Sequence, residues 1–152
     1  MDSAVARLSF ADLHVGREAR FEVTVTAADI DRFAEVSGDV SPLHVDAAFA
    51  RSRGFGGRVA HGVYLTSLVS RLVGVHLPGE NCLLHAVAMQ FRAPVLAGAR
   101  LSVTGTVDQV SEAVRTAVVK VTVRDLGSDA VAATAKVTVG FTAPETGEPG
   151  GG

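Results

Sequence analysis

The sequence predicts an α+β domain in which an antiparallel β-sheet is wrapped around one long central α-helix. Several segments alternate apolar with polar residues at period two, which is typical of half-buried strands. One long segment is instead apolar around most of a helical circumference, which is typical of a buried helix. The last strands are joined by short turns, around residues 111–112 and 125–128, which favours antiparallel neighbours.

The strand prediction depends on segments of different strength. Alternation is clearest towards the C-terminal end, where valine and alanine alternate with threonine and lysine. It is weaker around Gly105, which interrupts its segment. Residues 83–91 are apolar on both faces and are predicted to form a central strand. The predicted strands cover residues 21–25, 83–91, 101–107, 117–123 and 131–141.

Two helices are predicted before most of these strands. The first begins with a capping box formed by Thr26 and Asp29, and Gly38 ends it. The second runs from about His61 to Leu77. Because apolar residues cover most of its circumference, this second helix is predicted to be the buried centre of the domain.

Length and composition indicate a single globular domain. The chain has 152 residues, of which 47% are hydrophobic and 20% charged. The last residues are rich in glycine and proline, which is typical of a disordered segment without a function of its own. We therefore expect a domain at residues 1–141 and a disordered tail at residues 142–152.

Charge and cysteine content argue against several classes of function. The net charge is −2, there is no basic run and there is only a single tyrosine, so nucleic-acid binding is not expected. No stretch reaches the roughly 18 apolar residues of a membrane span, and the N-terminus lacks a signal-peptide core. A single cysteine, Cys82, excludes an internal disulfide and a cysteine-based metal site. We expect a cytoplasmic protein that does not act at a membrane.

The most reactive segment is the loop from Gly38 to Asp46. Its Asp39 and His44 are the only closely spaced acid–base pair in the chain, and proton transfer needs two such groups near one substrate atom or one water. Pro42 restricts both itself and the residue before it, which makes the loop rigid. Read alone, the pair is equally compatible with a surface aspartate and a packing histidine.

The loop resembles a known family motif. Gly38-Asp39-x-x-Pro42-Leu43-His44-x-Asp46 is similar to the hydratase motif of the MaoC-like (R)-specific enoyl-CoA hydratases. The similarity covers roughly residues 15–141, and in this family an antiparallel sheet curls around one long helix, the hot-dog fold. Further matching residues are Phe49-Ala50, Arg58-Val59-Ala60-His61-Gly62, Leu77-Pro78-Gly79, Phe91-Arg92-Ala93-Pro94-Val95 and Gly98.

The resemblance implies a hydro-lyase that reversibly hydrates trans-2-enoyl thioesters to (R)-3-hydroxyacyl thioesters. It implies that Asp39 and His44 hold and activate the water. The backbone N–H of Gly62, at a helix N-terminus, would stabilise the enolate-like oxygen. No cofactor is expected, since CoA or the phosphopantetheine of an acyl-carrier protein enters only as part of the substrate. A homodimer is also implied.

Supporting residues are implied by the same resemblance. His61 is expected to orient the site rather than to act as a base, and Ser70 either supports the site or satisfies a backbone carbonyl. Ser41 stands where the family usually has asparagine, so the bracing of the loop is lost, replaced by water or supplied elsewhere. Four arginines either bind the carrier phosphates or form a solvated face, namely Arg51, Arg53, Arg58 and Arg92.

Two other functions remain open from the sequence. The first is a hot-dog thioesterase, although such enzymes usually place a carboxylate on or near the central helix and residues 61–77 contain none. The second is a non-catalytic subunit that binds an acyl chain or completes a partner's site. A metal site from Asp39, His44 and His61 is not expected, because their spacing matches no common set of ligands.

Overall fold

The computed structural model describes residues 4–142 and contains one five-stranded sheet with helices packed on it. The predicted tail therefore lies outside the described residues except for Thr142, whose N–H donates to the carbonyl of Asn81 at 3.0 Å. The strands are β1 (Glu18–Thr24), β2 (Cys82–Phe91), β3 (Arg100–Ser111), β4 (Thr116–Asp125) and β5 (Val131–Phe141). The helices are α1 (Ala27–Ser37), α2 (Pro42–Val45), α3 (Ala47–Ser52) and α4 (Gly62–Arg71), which continues as a π-helical segment (Leu72–His76).

The sheet has the order β1-β3-β4-β5-β2, and every neighbouring pair is antiparallel. Short turns join β3 to β4 and β4 to β5, as the sequence predicts. Valines on the inner face are paired directly across the strands, with Val103 opposite Val123 and Val119 opposite Val137. All four of these valines are fully buried and form the floor against which the long helix packs. The predicted α+β class and antiparallel sheet are confirmed.

The prediction of a central position for β2 is wrong. Among the described strands it pairs only with β5 and forms an edge of the sheet. Its apolar residues are partly open to solvent, with Leu83 48%, Leu84 40% and Phe91 52% exposed. Periodicity reports how apolar the faces of a strand are but not how many neighbours the strand has, so an apolar edge strand resembles a central one.

The long helix packs against one face of the sheet. Its buried side carries Leu65, Leu68 and Val69, and the π-helical segment adds Leu72 and Val73. A Cβ atom at position 105 would overlap the Leu72 side chain, which explains why glycine interrupts β3 there. The sheet and the helix are therefore in close contact at this glycine.

The predicted central helix is present, but it is not buried on every side. One side is open, because Val63 is 63% exposed and Ser67 and Ser70 are also exposed. The serines that interrupt the apolar pattern lie on this open side, so the helix is amphipathic in the structure. No helix within residues 4–142 has the length and apolarity needed to cross a bilayer.

Helix α1 is capped as predicted and leads into the acid–base loop. The Asp29 N–H donates to the Thr26 hydroxyl, and the Thr26 N–H donates to the Asp29 carboxylate, both at 3.0 Å. The Thr26 backbone N–H lowers the pKa of Asp29 below its usual value. At the other end Gly38 takes φ 75°, the left-handed conformation that ends a helix. The chain then turns directly into the segment that carries Asp39.

Candidate active site

The acid–base loop places Asp39 and His44 opposite each other. The Asp39 carboxylate accepts a hydrogen bond from the Ser41 backbone N–H at 3.2 Å, which closes a tight turn, and Pro42 begins helix α2. Helix α2 carries His44 back towards Asp39, with His44 Nε2 and Asp39 Oδ2 separated by 3.7 Å. The carboxylate is half exposed and the imidazole mostly buried. One face of the pair is therefore open to a small reactant.

The tautomer of His44 follows from its other ring nitrogen. Nδ1 lies 2.7 Å from the carbonyl oxygen of Val59. Because a carbonyl only accepts, Nδ1 carries the proton, and in the neutral ring Nε2 keeps its lone pair. That lone pair is on the side that faces Asp39. The imidazole is thus oriented to accept a proton from a reactant held between the two groups.

The segment at residues 58–62, here called the bracing segment, holds the loop from behind. Arg58 donates from Nε to the carbonyl oxygen of His44, and its guanidinium pairs with Asp31 on α1. The Val59 N–H donates to the carbonyl of Leu43 at 3.1 Å. The Arg58 side chain is only 16% exposed, so its charge is committed within the chain instead of facing a carrier phosphate. From the sequence, Arg58 was expected to bind a carrier phosphate or to lie on a solvated face, and its contact with His44 was not predicted.

His61 links the bracing segment to both members of the pair. Its ring nitrogen Nε2 lies 2.9 Å from the backbone carbonyl oxygen of Asp39. Its ring stacks on His44, with centroids 3.8 Å apart and planes inclined by 23°. Phe33 of α1 packs against it at 4.9 Å, and the residue is only 2% exposed. His61 therefore contacts both Asp39 and His44 and is itself shielded from solvent.

Gly62 begins helix α4 beside the pair. The first N–H groups of a helix have no partner within that helix, and the helix dipole is positive there, so this end attracts a developing negative charge. A Cβ atom at position 62 would lie 3.3 Å from the Phe91 ring. The backbone is therefore accessible only because residue 62 has no side chain.

A pocket of about 380 Å³ lies against these residues. Phe91, Pro94 and Val95 form part of its wall, and these residues were linked to the site only by the family resemblance. Leu65 of α4, which sequence reasoning did not select, also lines it. The rest of the wall is formed by Leu43, His44, Val59, Ala60, Gly62, Arg92 and Ala93. A largely apolar cavity that also presents a few polar groups is typical of a small-molecule site.

The predicted supporting serines are both exposed. Ser41 is exposed and no cap hydrogen bond forms from its side chain, so the loop is braced by Arg58 and His61 instead. Ser70 is exposed on the open side of α4, two turns beyond the start of the helix.

The remaining arginines differ in their distance from the pocket. Arg51 and Arg53 are exposed on or just after α3, where the Arg53 guanidinium lies 4.6 Å from the centre of the Phe49 ring. Arg92 alone of the four predicted arginines lines the pocket. Its guanidinium is held by Gln90 at 3.2 Å and Thr134 at 3.4 Å.

Asp39, His44 and His61 also form the one cluster among the described residues with the composition of a metal site. One ligand atom from each lies within 4.8 Å of the others. However, His44 Nδ1 and His61 Nε2 already contact carbonyl oxygens, and the two rings are stacked. The nitrogen lone pairs of two stacked rings lie in nearly parallel planes. A tetrahedral metal ion instead needs the lone pairs of its ligands to point at one position. The arrangement suits proton transfer better than metal binding.

Several known proteins are similar to this chain in sequence. A family model described as MaoC like domain matches residues 11–142. A 3-hydroxybutyryl-CoA dehydratase of Methylorubrum extorquens is 38% identical over 91 residues, which are 60% of this chain and 58% of that protein. An (R)-specific enoyl-CoA hydratase of Aeromonas caviae is 38% identical over 91 residues, which are 60% of this chain and 68% of that protein. The match thus spans little more than half the length of the first relative.

A solved structure extends the likeness to the whole fold. The (R)-hydratase from A. caviae superposes with a TM-score of 0.82 and 32% sequence identity, covering 86% of this chain and 98% of that one. The predicted hot-dog fold is therefore confirmed.

Proposed function

The chain belongs to the MaoC-like domain family, and from this premise we propose that it is a hydro-lyase acting on acyl thioesters. The proposed reaction is the reversible hydration of trans-2-enoyl thioesters to (R)-3-hydroxyacyl thioesters. The observation that carries the proposal is an acid–base pair beside an apolar pocket. His44 and Gly62 line the pocket, and the Asp39 carboxylate lies 3.7 Å from the free nitrogen of His44.

In this proposal the acid–base pair holds the attacking water. The 3.7 Å between His44 Nε2 and Asp39 Oδ2 is too long for a direct hydrogen bond, and a water that contacts both groups bridges such a separation well. As the water oxygen bonds to C3, the pair accepts one water proton. We assign this proton to the pair and not to one of its two residues.

The electron pair of the double bond then moves onto the thioester and gives an enolate. The N–H at Gly62 donates to the enolate oxygen, where the positive end of the helix dipole favours the charge. C2 takes a proton from the pair, which restores the pair to its starting state. One water is added across the double bond, and no redox cofactor or metal is required. A water held by the pair would be delivered to one face of C3, as a single (R) product requires.

The acyl carrier is either CoA or an acyl-carrier protein. Arg92 is the predicted arginine best placed to contact it, since it is exposed and lines the pocket. Arg92→Ala should raise KM for a CoA thioester much more than KM for the corresponding pantetheine thioester, which lacks the nucleotide phosphates. Equal KM changes for both thioesters would remove Arg92 from this role.

We also propose a homodimer built on the exposed edge of β2. An open edge with exposed Leu83, Leu84 and Phe91 is an association hazard unless another strand covers it. Leu84→Lys should shift the molecular mass measured by light scattering towards that of one chain, whereas Val114→Lys, at an exposed residue elsewhere, should not. A monomeric wild-type protein would refute the dimer.

A cytoplasmic location also stays a proposal, to be checked by cell fractionation.

The activity is tested by supplying crotonyl-CoA and longer enoyl thioesters on CoA and on an acyl-carrier protein. Hydration removes the conjugated double bond, so the ultraviolet absorbance of the enoyl group should fall without release of free thiol. The hydroxyacyl product should be the (R) enantiomer on a chiral column. Thiol release would favour a thioesterase, a reading that the absence of Asp and Glu from residues 62–76 argues against. Unchanged absorbance on every substrate would refute the proposal.

A further inference from the structure

One residue of the bracing segment, His61, forms a hydrogen bond with Asp39 and stacks on His44. We propose that His61 is a positioning residue that fixes the acid–base pair relative to the oxyanion donor. This inference rests on the proposed hydration activity and adds a role for a side chain that does not itself line the pocket. His61 acts through Asp39 and His44 and through the backbone that leads into Gly62.

The first contact restrains Asp39. In the described part of the chain, its other backbone and carboxylate hydrogen bonds join it to Ser37 and Ser41, two residues away on either side. These bonds shape the turn but leave the turn free to move as a unit, and Val40 at its tip is 65% exposed. His61 is 22 residues away in the chain and donates from Nε2 to the Asp39 carbonyl at 2.9 Å. It thus ties the turn to the body of the domain.

The second contact restrains His44. The hydrogen bond from Nδ1 to Val59 sets the direction of the ring but permits the ring to tilt about that bond. The face of His61, at a centroid distance of 3.8 Å, blocks the tilt on one side. His61 cannot yield, because it is 2% exposed and backed by the Phe33 ring. The Nε2 lone pair of His44 therefore keeps its direction towards Asp39.

The third connection is covalent. His61 is the residue immediately before Gly62, so the backbone that places its ring also places the first N–H of α4. A displacement of His61 changes the distance between the water site and the oxyanion site. Misplacing reacting groups by about 1 Å lowers rates about a hundredfold, so this coupling has a kinetic consequence.

Two substitutions separate the contacts of His61. His61→Phe keeps an aromatic ring to stack on His44 but removes the donor to Asp39. His61→Gln places an amide N–H near the position of Nε2 but removes the ring. We expect His61→Phe to lower kcat at least about tenfold while KM changes less than about threefold, since substrate does not touch this residue. His61→Gln should keep more of kcat than His61→Phe does, because it restores the donor.

A double-mutant cycle with Asp39→Asn distinguishes positioning from general destabilisation. If His61 acts through Asp39, His61→Phe should lower kcat/KM in the Asp39→Asn background by much less than in the wild type. Equal losses in both backgrounds would overturn the proposal, and so would a kcat of His61→Phe within twofold of wild type. Should His61→Phe fail to fold, the same cycle is run with His61→Gln.

The imidazole nitrogens provide a readout that needs no activity. In ¹⁵N-histidine NMR spectra of the wild type, His44 should carry its proton on Nδ1 and His61 on Nε2. Replacing His61 by Gln should shift the His44 nitrogen signals, because the His44 ring loses the ring stacked on it. Unchanged His44 signals would overturn the positioning role even if the protein hydrates no thioester. A wild type with the expected spectra but no hydration would refute the proposed function alone.

Discussion

The most instructive perturbation is a single methyl group at the start of α4. Gly62→Ala keeps the N–H donor and the backbone conformation, since Gly62 is not among the glycines with positive φ. The new Cβ would lie 3.3 Å from the Phe91 ring, tighter than an ordinary contact, so the ring must move by a few tenths of an ångström. The methyl would also occupy the approach of a thioester to the backbone.

The expected effect separates activity from stability. Alanine is favoured over glycine in a helix by up to about 1 kcal/mol, and the contact with Phe91 offsets part of this gain. The free energy of unfolding should therefore change by less than about 1 kcal/mol, a Tm shift within about 4 °C for a chain of this size. Loss of an oxyanion contact lowers kcat by about 10²–10³-fold. We expect kcat/KM of Gly62→Ala to fall by about a hundredfold.

The assay pairs hydration kinetics with thermal unfolding. Gly57→Ala is the matched control, because a Cβ at position 57 meets nothing within 4 Å and its φ is also ordinary. Phe91→Leu in the Gly62→Ala background relieves the contact with the ring but leaves the methyl in the path of the thioester, so activity should stay low. Wild-type kcat/KM in Gly62→Ala would refute the reasoning that the thioester approaches this backbone.

Three further predictions concern the scaffold. Gly105→Ala should destabilise the protein by about 1–3 kcal/mol in urea titrations, since its Cβ overlaps Leu72; an unchanged midpoint would mean that the helix has room to move. Asp29→Ala should lower stability at pH 7 by about 0.5–1 kcal/mol, because it removes the carboxylate that accepts from the Thr26 N–H. Since that hydrogen bond lowers the folded pKa of Asp29, the loss is present above the unfolded pKa of about 3.8 and fades as pH falls through the folded value, so wild type and variant should converge in acid; a constant difference would speak against the cap. Arg58→Met should lower kcat and leave KM for CoA thioesters nearly unchanged, whereas a raised KM alone would return Arg58 to phosphate binding.

Local signals in the sequence predicted the framework well. The capping box of Thr26 and Asp29, the left-handed Gly38 and the alternating strands all depend on residues close together in the chain, and all are found. The pairing of Asp39 with His44 could also be predicted, because the two residues are five positions apart and a proline between them restricts the loop. These features are set by backbone geometry and by the period of the apolar residues.

The errors concern properties that only tertiary structure sets. Residues 83–91 are as apolar as a central strand, but the topology leaves them at an edge. The long helix was expected to be buried because apolar residues cover most of its circumference, but its serines lie on a side that the sheet leaves exposed. Arg58 reads as a free cation in the sequence, and its bond to the His44 carbonyl spans 14 residues. No periodicity or spacing encodes a contact of that kind.

The central claim is that Asp39 and His44 carry out the proton transfers of hydration. Its most direct test is the initial rate of enoyl-CoA hydration by Asp39→Asn and by His44→Ala. The matched controls are Glu35→Gln and His14→Ala, which alter exposed residues outside the site. We predict that each site variant stays folded and loses at least about a hundredfold in kcat, and that each control keeps wild-type activity. Wild-type rates in either site variant would contradict the account.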